Sequence, residues 1–239
     1  MKYMKRIITF ILVTLVVGIG YSQKKTEKSK EVITEDRKVA NYDAIEVSGA
    51  YNLVLTEGEV GKIKVKGQKE VLSYLETKVF NNVLYISIDR KYSLKTSITV
   101  YVPIDTRLKR VIGKGAVDIS TEKKLQVGSL LVKLEGSGDL EASVTATSLD
   151  LQVAGAGGID IAGETKNLSV YVKGAGDVDA DELKAEKATL RIAGAGGISA
   201  YVTQEVDASI AGAGGITVKG NPPVFKKSVK GIGRIKIEE

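Results

Sequence analysis

The sequence has no His, no Cys and no Trp in 239 residues. Without imidazole there is no Ser-His-Asp triad, and without thiol there is no cysteine nucleophile and no disulfide. A zinc site built from His and Cys is excluded as well. Chemistry would rest on Asp, Glu, Lys, Arg, Tyr, Ser and Thr. Proline is scarce at 3 residues, and aromatic residues make up 5%. A chain without disulfides must be held by its core, and 43% hydrophobic residues supply one. That composition excludes a disordered chain. Glycine is plentiful at 26 residues, and its spacing carries most of the architecture.

One apolar run stands near the start. Ile7 to Gly20, broken only by Thr9 and Thr14, follows Lys2, Lys5 and Arg6 and leads into Gly20-Tyr21-Ser22. A basic start, a short apolar stretch and small residues at a cleavage site read as a secretory signal over residues 1–22, with cleavage before Gln23. The alternative is a retained anchor, but a span needs about 20 apolar residues, and residues 7–20 fall short of that. No membrane span is expected after cleavage. No Cys follows the run, so lipoprotein acylation is excluded. The expected location is the periplasm, the cell surface or the medium.

Net charge is +6, but Lys2, Lys5 and Arg6 leave with the signal. Lys and Arg then fall from 35 to 32 against 29 Asp and Glu. That small excess, on an exported chain, gives no case for nucleic acid as a partner. Residues 23–39 are polar and charge-mixed, and read as a flexible spacer. Residues 40–239 read as a single domain.

Seven segments share one pattern: GKGAVDIS, GSGDLEAS, GAGGIDIA, GAGDVDAD, GAGGISAY, GAGGITVK and GIGRIKIE. They start at Gly113, Gly136, Gly155, Gly174, Gly194, Gly212 and Gly231, a period near 20 that marks a solenoid. Four and six residues after each first Gly the positions are apolar, as in Ile159 and Ile161. Before it, pairs such as Leu151 and Val153 alternate with polar residues such as Gln152. Each G-x-G therefore joins two strands with inward faces. Leucine-rich and helical repeats have other signatures. The fold expected is all-β, a parallel β-helix with about 20 residues per coil. Its third side is shorter, with room for one helical turn at residues 181–187. The glycines are read as corners that need φ > 0 or close stacking. No segment completes a nucleotide loop, so G-x-G here is structural. Residues 111–239 carry the regular coils. Residues 40–110 carry looser ones, about three between Gly49 and Gly113, with Gly67 to Val79 leaving the coil as a short helix or loop over its open end.

The segments YDAIEVSGAYNLVLTEG and GQKEVLSYLETKV, followed by repeated GAGGI, resemble the head-GIN domain family of auto-transporter adhesin-like proteins. The resemblance spans roughly residues 40–239. It implies a right-handed parallel β-helix in a secreted or envelope protein, with no established activity and no functional residues to transfer.

Five residues after each first Gly, the outward side chains include Asp118, Glu141, Asp160 and Asp179. Stacked at about 5 Å, they read either as a calcium ladder or as a solvated acidic stripe, and the stripe is favoured. No metal and no cofactor is expected. A polysaccharide-active enzyme would need long loops to wall a cleft, and the coils after Gly113 have almost no insertions. Arg191 and Tyr171 are expected outside any pocket, on faces that are not adjacent. Tyr74, Tyr85, Tyr92 and Tyr101 read as packing before ligand contact. The function expected is therefore a non-catalytic binding or adhesion module for a protein or glycan surface. A structural envelope component and a polysaccharide-active enzyme are the alternatives. The coil pattern runs to Ile237, so no sorting domain is expected after it.

Overall fold

The computed structural model describes residues 31–93 and 97–238. The signal read in residues 1–22 lies outside them. The structure is a β-solenoid of about 7 turns, with about 19 residues between stacked strands.

β1 (Val32–Lys38) precedes the first coil strands, β2 (Ala44–Gly49) and β3 (Asn52–Glu57). β4 (Lys62–Gln68), α1 (Lys69–Leu72) and β5 (Glu76–Phe80) leave the coil; β6 (Val83–Ser87), α2 (Arg90–Ser93) and β7 (Thr99–Ile104) return to it. β8 (Arg110–Gly115) and β9 (Asp118–Thr121) form the next coil. The regular coils then follow as β10 (Leu125–Gly136), β11 (Leu140–Gly155), β12 (Gly158–Gly174), β13 (Asp177–Gly194) and β14 (Gly197–Gly212). β15 (Gly215–Lys219), β16 (Val224–Gly231) and β17 (Arg234–Glu238) close the stack.

Strands pair in parallel from coil to coil, so equivalent residues form columns. One inward column runs Val100, Leu53, Ile119, Leu140, Ile159, Val178, Ile198, Ile216, Ile235. All are buried. Burial of each such side chain stabilises the fold by about 1.5–3 kcal/mol, and like shapes stacked on like shapes leave few voids. The third side is strand as well. Leu183 and Ala185 point inward and are buried, so residues 181–187 form no helical turn. The ladder slips there: against β12 this coil carries one extra residue between Asp179 and Leu183, and against β14 the pairing is irregular between Ala180 and Lys184.

The N-terminal coils do not stack in chain order. Gly49 lies directly against Gly115, because β2 pairs with β8 and β3 with β9. The segment between them folds to the other side, where β6 pairs with β2 and β7 with β3. The expected run of three sequential coils from Gly49 is therefore replaced by one coil inserted between two others.

The N-terminal end is capped. β4 runs antiparallel to β7, β1 antiparallel to β4, and β5 antiparallel to β6. Residues 32–38, read as part of a spacer, are thus an edge strand: Ile33, Glu35 and Arg37 alternate inward with outward Thr34, Asp36 and Lys38. Helix α1 is a single turn that brings Leu72 and Leu75 into the core. Arg37 anchors it by donating to the carbonyls of Leu72 (2.8 Å) and Leu75 (2.5 Å). Leu72 ends α1 and Leu75 lies just before β5, so the one side chain ties the helix to the strand that follows it. At the other end of the stack, β16 and β17 have no partner on their outer edges among the described residues.

A candidate binding face on the sheet after the corners

The corner glycines serve two separate needs. The first glycine of each pair has positive φ, from 124° to 149° at Gly136, Gly155, Gly174, Gly194 and Gly212 and 126° at Gly231. Its carbonyl accepts the amide of the next coil's corner residue, as Gly174 does from Ala195 at 2.8 Å. The second glycine has no positive φ. It is needed for close approach: a Cβ on Gly196 would sit 2.0 Å from the carbonyl oxygen of Gly176.

Gly113 is a correction. The corner of its coil is Gly115, with φ 98°, which pairs with Gly49 and with Gly136. Gly113 pairs with Leu134 and faces the core, where a Cβ would press on Ile119 and Leu134 side chains at 3.2 Å. The corner glycine of this coil thus lies two residues after the one the repeat pattern points to. A slip of two keeps every side chain on its face, so alternation cannot detect it.

The same slip relocates Asp118. It stands two residues before the column of Glu141, Asp160 and Asp179, whose neighbour in its coil is Ser120. Three carboxylates, not four, therefore stack in consecutive coils. Each adjacent pair repels by roughly 1 kcal/mol in water at about 5 Å. Asp118, Asp139 and Asp177 belong to a second column with a packing role. Asp118 Oδ1 accepts the amide of Asp139 (3.1 Å), and Asp139 Oδ1 accepts the amide of Gly158 (2.7 Å). Gly158 and Gly197 stack on Asp139 and Asp177, where a Cβ would meet the carboxylate of the coil before at 3.2 and 2.7 Å. Among the described residues no group of three or more acidic side chains has the geometry to hold a metal ion.

These two columns lie on the outer face of the sheet that follows the corners. Asn52, Thr99, Asp118, Glu141 and Asp160 help line a shallow groove of about 620 Å³ along it, open along its length. Beside it, Asp181 accepts from Ser199 (2.5 Å) and from Lys219 two coils on (2.5 Å). The hydrogen bond and charge of Asp181 hold the Lys219 ammonium above its ordinary pKa. Toward the N-terminal end the face is net basic, with Lys62, Lys64 and Lys66 of β4 outward and exposed beside Lys38, among Asp36, Glu57 and Glu122. Toward the other end it turns basic again at Arg234 and Lys236. The result is an acidic centre between two basic ends on one flat face.

Other singled-out residues fall elsewhere. Tyr171 and Arg191 pair in adjacent coils on one face, not on separate faces as expected. Tyr101 is half-buried among the lysines of β4. Tyr85 is half-buried opposite Glu46. Tyr74 and Tyr92 stack ring on ring with centroids 3.7 Å apart, and Lys91 lies 4.8 Å over the Tyr92 ring. Sequence distance hid this pair: one comes from the turn after α1 and the other from α2. Among the described residues no helix is long and apolar enough to cross a membrane.

The fold recurs in solved structures. A "putative adhesin" from Bacteroides fragilis NCTC 9343 superposes with a TM-score of 0.80 at 28% identity, over 88% of this chain and 98% of that one. A "putative adhesin" from Parabacteroides distasonis ATCC 8503 gives 0.70 at 16% identity, over 88% of this chain and 98% of that one. A "putative lipid binding protein" from the same organism gives 0.66 at 24% identity and the same coverage. The last two share the fold alone. No protein of curated function matches the sequence. A family model described as "Putative auto-transporter adhesin, head GIN domain" matches residues 41–222. With that match over most of the solenoid, the chain belongs to the head-GIN family.

Proposed function

We propose that the protein is an exported, non-catalytic adhesion-type module that binds a protein or glycan surface through the sheet face after the corners. The observation that carries the reading is the charge layout of that face. Glu141, Asp160 and Asp179 stand in adjacent coils between lysines of β4 on one side and Arg234 and Lys236 on the other. Such a surface suits a broad partner of complementary charge, because charge pattern sets partner choice and encounter rate. It offers little to a transition state, since among the described residues no insertion walls the carboxylates from water. The adhesin designation of the Bacteroides fragilis structure supports the same reading. The basic start and apolar run read as a signal in residues 1–22 support export.

The test is a glycan array and a cell-surface pull-down with the wild type and a Glu141→Gln, Asp160→Asn, Asp179→Asn variant. The reading expects a saturable partner whose binding falls at least tenfold in the variant. Partner binding unchanged by the variant overturns this face as the site. Turnover of a polysaccharide, abolished by Asp160→Asn alone, overturns the non-catalytic reading.

A further inference from the structure

The two ends of the solenoid are built differently. The N-terminal end is closed by antiparallel strands and α1. The last coil is left bare: Val224, Val229 and Ile237 are exposed although their neighbours one coil inward are buried or paired. Val229 continues an inward column through Val172, Ile192 and Ile210, so its exposure is that of the open core end. Around it stand Lys226, Lys227, Lys230, Arg234 and Lys236, against Glu238 as the one acidic residue of 224–238. Lys226 shares Glu205 at 3.4 Å, and Lys236 pairs with Glu238. Lys227, Lys230 and Arg234 make no ion pair among the described residues.

Lysines on a bare edge also serve to prevent strand pairing between copies. That role explains the charges and leaves Ile232 unexplained. Ile232 occupies the corner between Gly231 and Gly233, a position held by Ala or Ser in every other stacked corner, from Ala50 to Ala213. It is 89% exposed, the most exposed large apolar side chain of the described residues. An apolar tip flanked by Lys230 and Arg234, on a last coil rich in cations, is what an interfacial membrane contact uses: the tip enters the headgroup boundary and the cations meet lipid phosphates.

We propose that the C-terminal end of the solenoid docks on an anionic lipid bilayer, with Ile232 inserted and Lys227, Lys230 and Arg234 on the headgroups. The charges decide between occupants. A second copy docked last coil to last coil would set like charges against each other, and the N-terminal end is already closed by β1, α1 and their antiparallel pairings. A soluble polyanion would use the cations and give Ile232, Val229 and Ile237 nothing to bury. Arg234 is shared with the basic end of the sheet face, but Lys227, Lys230 and Ile232 are not, and the Glu141→Gln, Asp160→Asn, Asp179→Asn variant that tests the face leaves this end intact, so the two proposals fail separately.

The experiment is vesicle sedimentation at about 0.1 M salt with the protein as its host produces it. Vesicles are pure phosphatidylcholine, or phosphatidylcholine with phosphatidylglycerol. Binding is expected to the anionic vesicles and at least tenfold weaker to the neutral ones. Lys227→Gln, Lys230→Gln and Arg234→Gln together should weaken it more than tenfold, since each cation near such a surface is worth about fivefold. Ile232→Ala restores the residue of the other corners, so the coil keeps its fold, and should weaken binding severalfold without changing its salt dependence. Wild type that ignores anionic vesicles overturns the proposal. So does an Ile232→Ala variant that binds as wild type does, or full displacement by millimolar inorganic phosphate, which would make the end a site for soluble anions. Dimers that form through this end without lipid overturn it in favour of a second copy.

Discussion

Replacing Gly196 by alanine tests the stacked-corner geometry most directly. Its Cβ would lie 2.0 Å from the Gly176 carbonyl oxygen and 2.8 Å from Val172 Cγ1. A carbon and a carbonyl oxygen need about 3.3 Å, so the two coils must separate locally by about 1.3 Å. The bond from the Gly197 amide to Gly176 is already 3.3 Å long and breaks; that from Ala195 to Gly174, at 2.8 Å, is strained with it. On the other side the Gly196 carbonyl would be 2.4 Å from a Cβ on Gly214, so a shift in this coil is felt in the next. Two or three buried backbone bonds lost at about 1 kcal/mol each, with packing loss, give about 3–4 kcal/mol. Gly233 in the last coil has its nearest oxygen at 2.6 Å. It needs about half the displacement, and nothing stacks beyond it, so Gly233→Ala should cost about 1 kcal/mol. Gly128 has no atom within 4 Å of its absent Cβ and no positive φ. Gly128→Ala should therefore change stability by no more than about 0.5 kcal/mol. Equilibrium urea unfolding ranks the three, with a common m-value showing that the comparison is of stability alone. The reasoning fails if Gly196→Ala melts with Gly128→Ala, or if Gly233→Ala is the more damaging of the stacked pair.

Three further outcomes are expected. Burial holds the phenols of Tyr42 and Tyr51 well above their ordinary pKa, and they donate to the carbonyls of Pro103 (2.6 Å) and Ile86 (2.9 Å). Raised folded values mean that their contribution is complete below about pH 10 and is lost as pH rises through the folded values. A Tyr42→Phe, Tyr51→Phe protein should start less stable at neutral pH and lose less between about pH 9 and 12, read as urea midpoints against pH. Arg37→Ala removes both donors to the end of α1 and should cost about 1–2 kcal/mol, with faster amide exchange in residues 69–80 while the central coils stay protected. N-terminal sequencing of the exported protein should begin at Gln23, and an intact Met1 outside the cytoplasm would refute the signal reading.

How much of this was legible follows from the physics of parallel stacking. A side-chain period of two and a coil period near 20 are both written in the chain. They fix the inward columns, the strand on either side of each G-x-G and the all-β solenoid. The family resemblance rested on the repeated GAGGI following YDAIEVSGAYNLVLTEG and GQKEVLSYLETKV, the second of which breaks the coil period. Three things were not written there. A two-residue slip leaves alternation unchanged, so the sequence could not separate Gly113 from Gly115, and Asp118 was carried into the wrong column. Any parallel edge offers the same backbone donors and acceptors to any other. Nothing local therefore reveals that Gly49 meets Gly115 across the chain, or that β1 closes the N-terminal edge. Charge placement on a face depends on which coils are neighbours, so the acidic centre, the basic ends and the bare last coil exist only once the stack is assembled. Local periodicity determined what each coil is; long-range edge pairing decided where each coil sits and which charges share a surface.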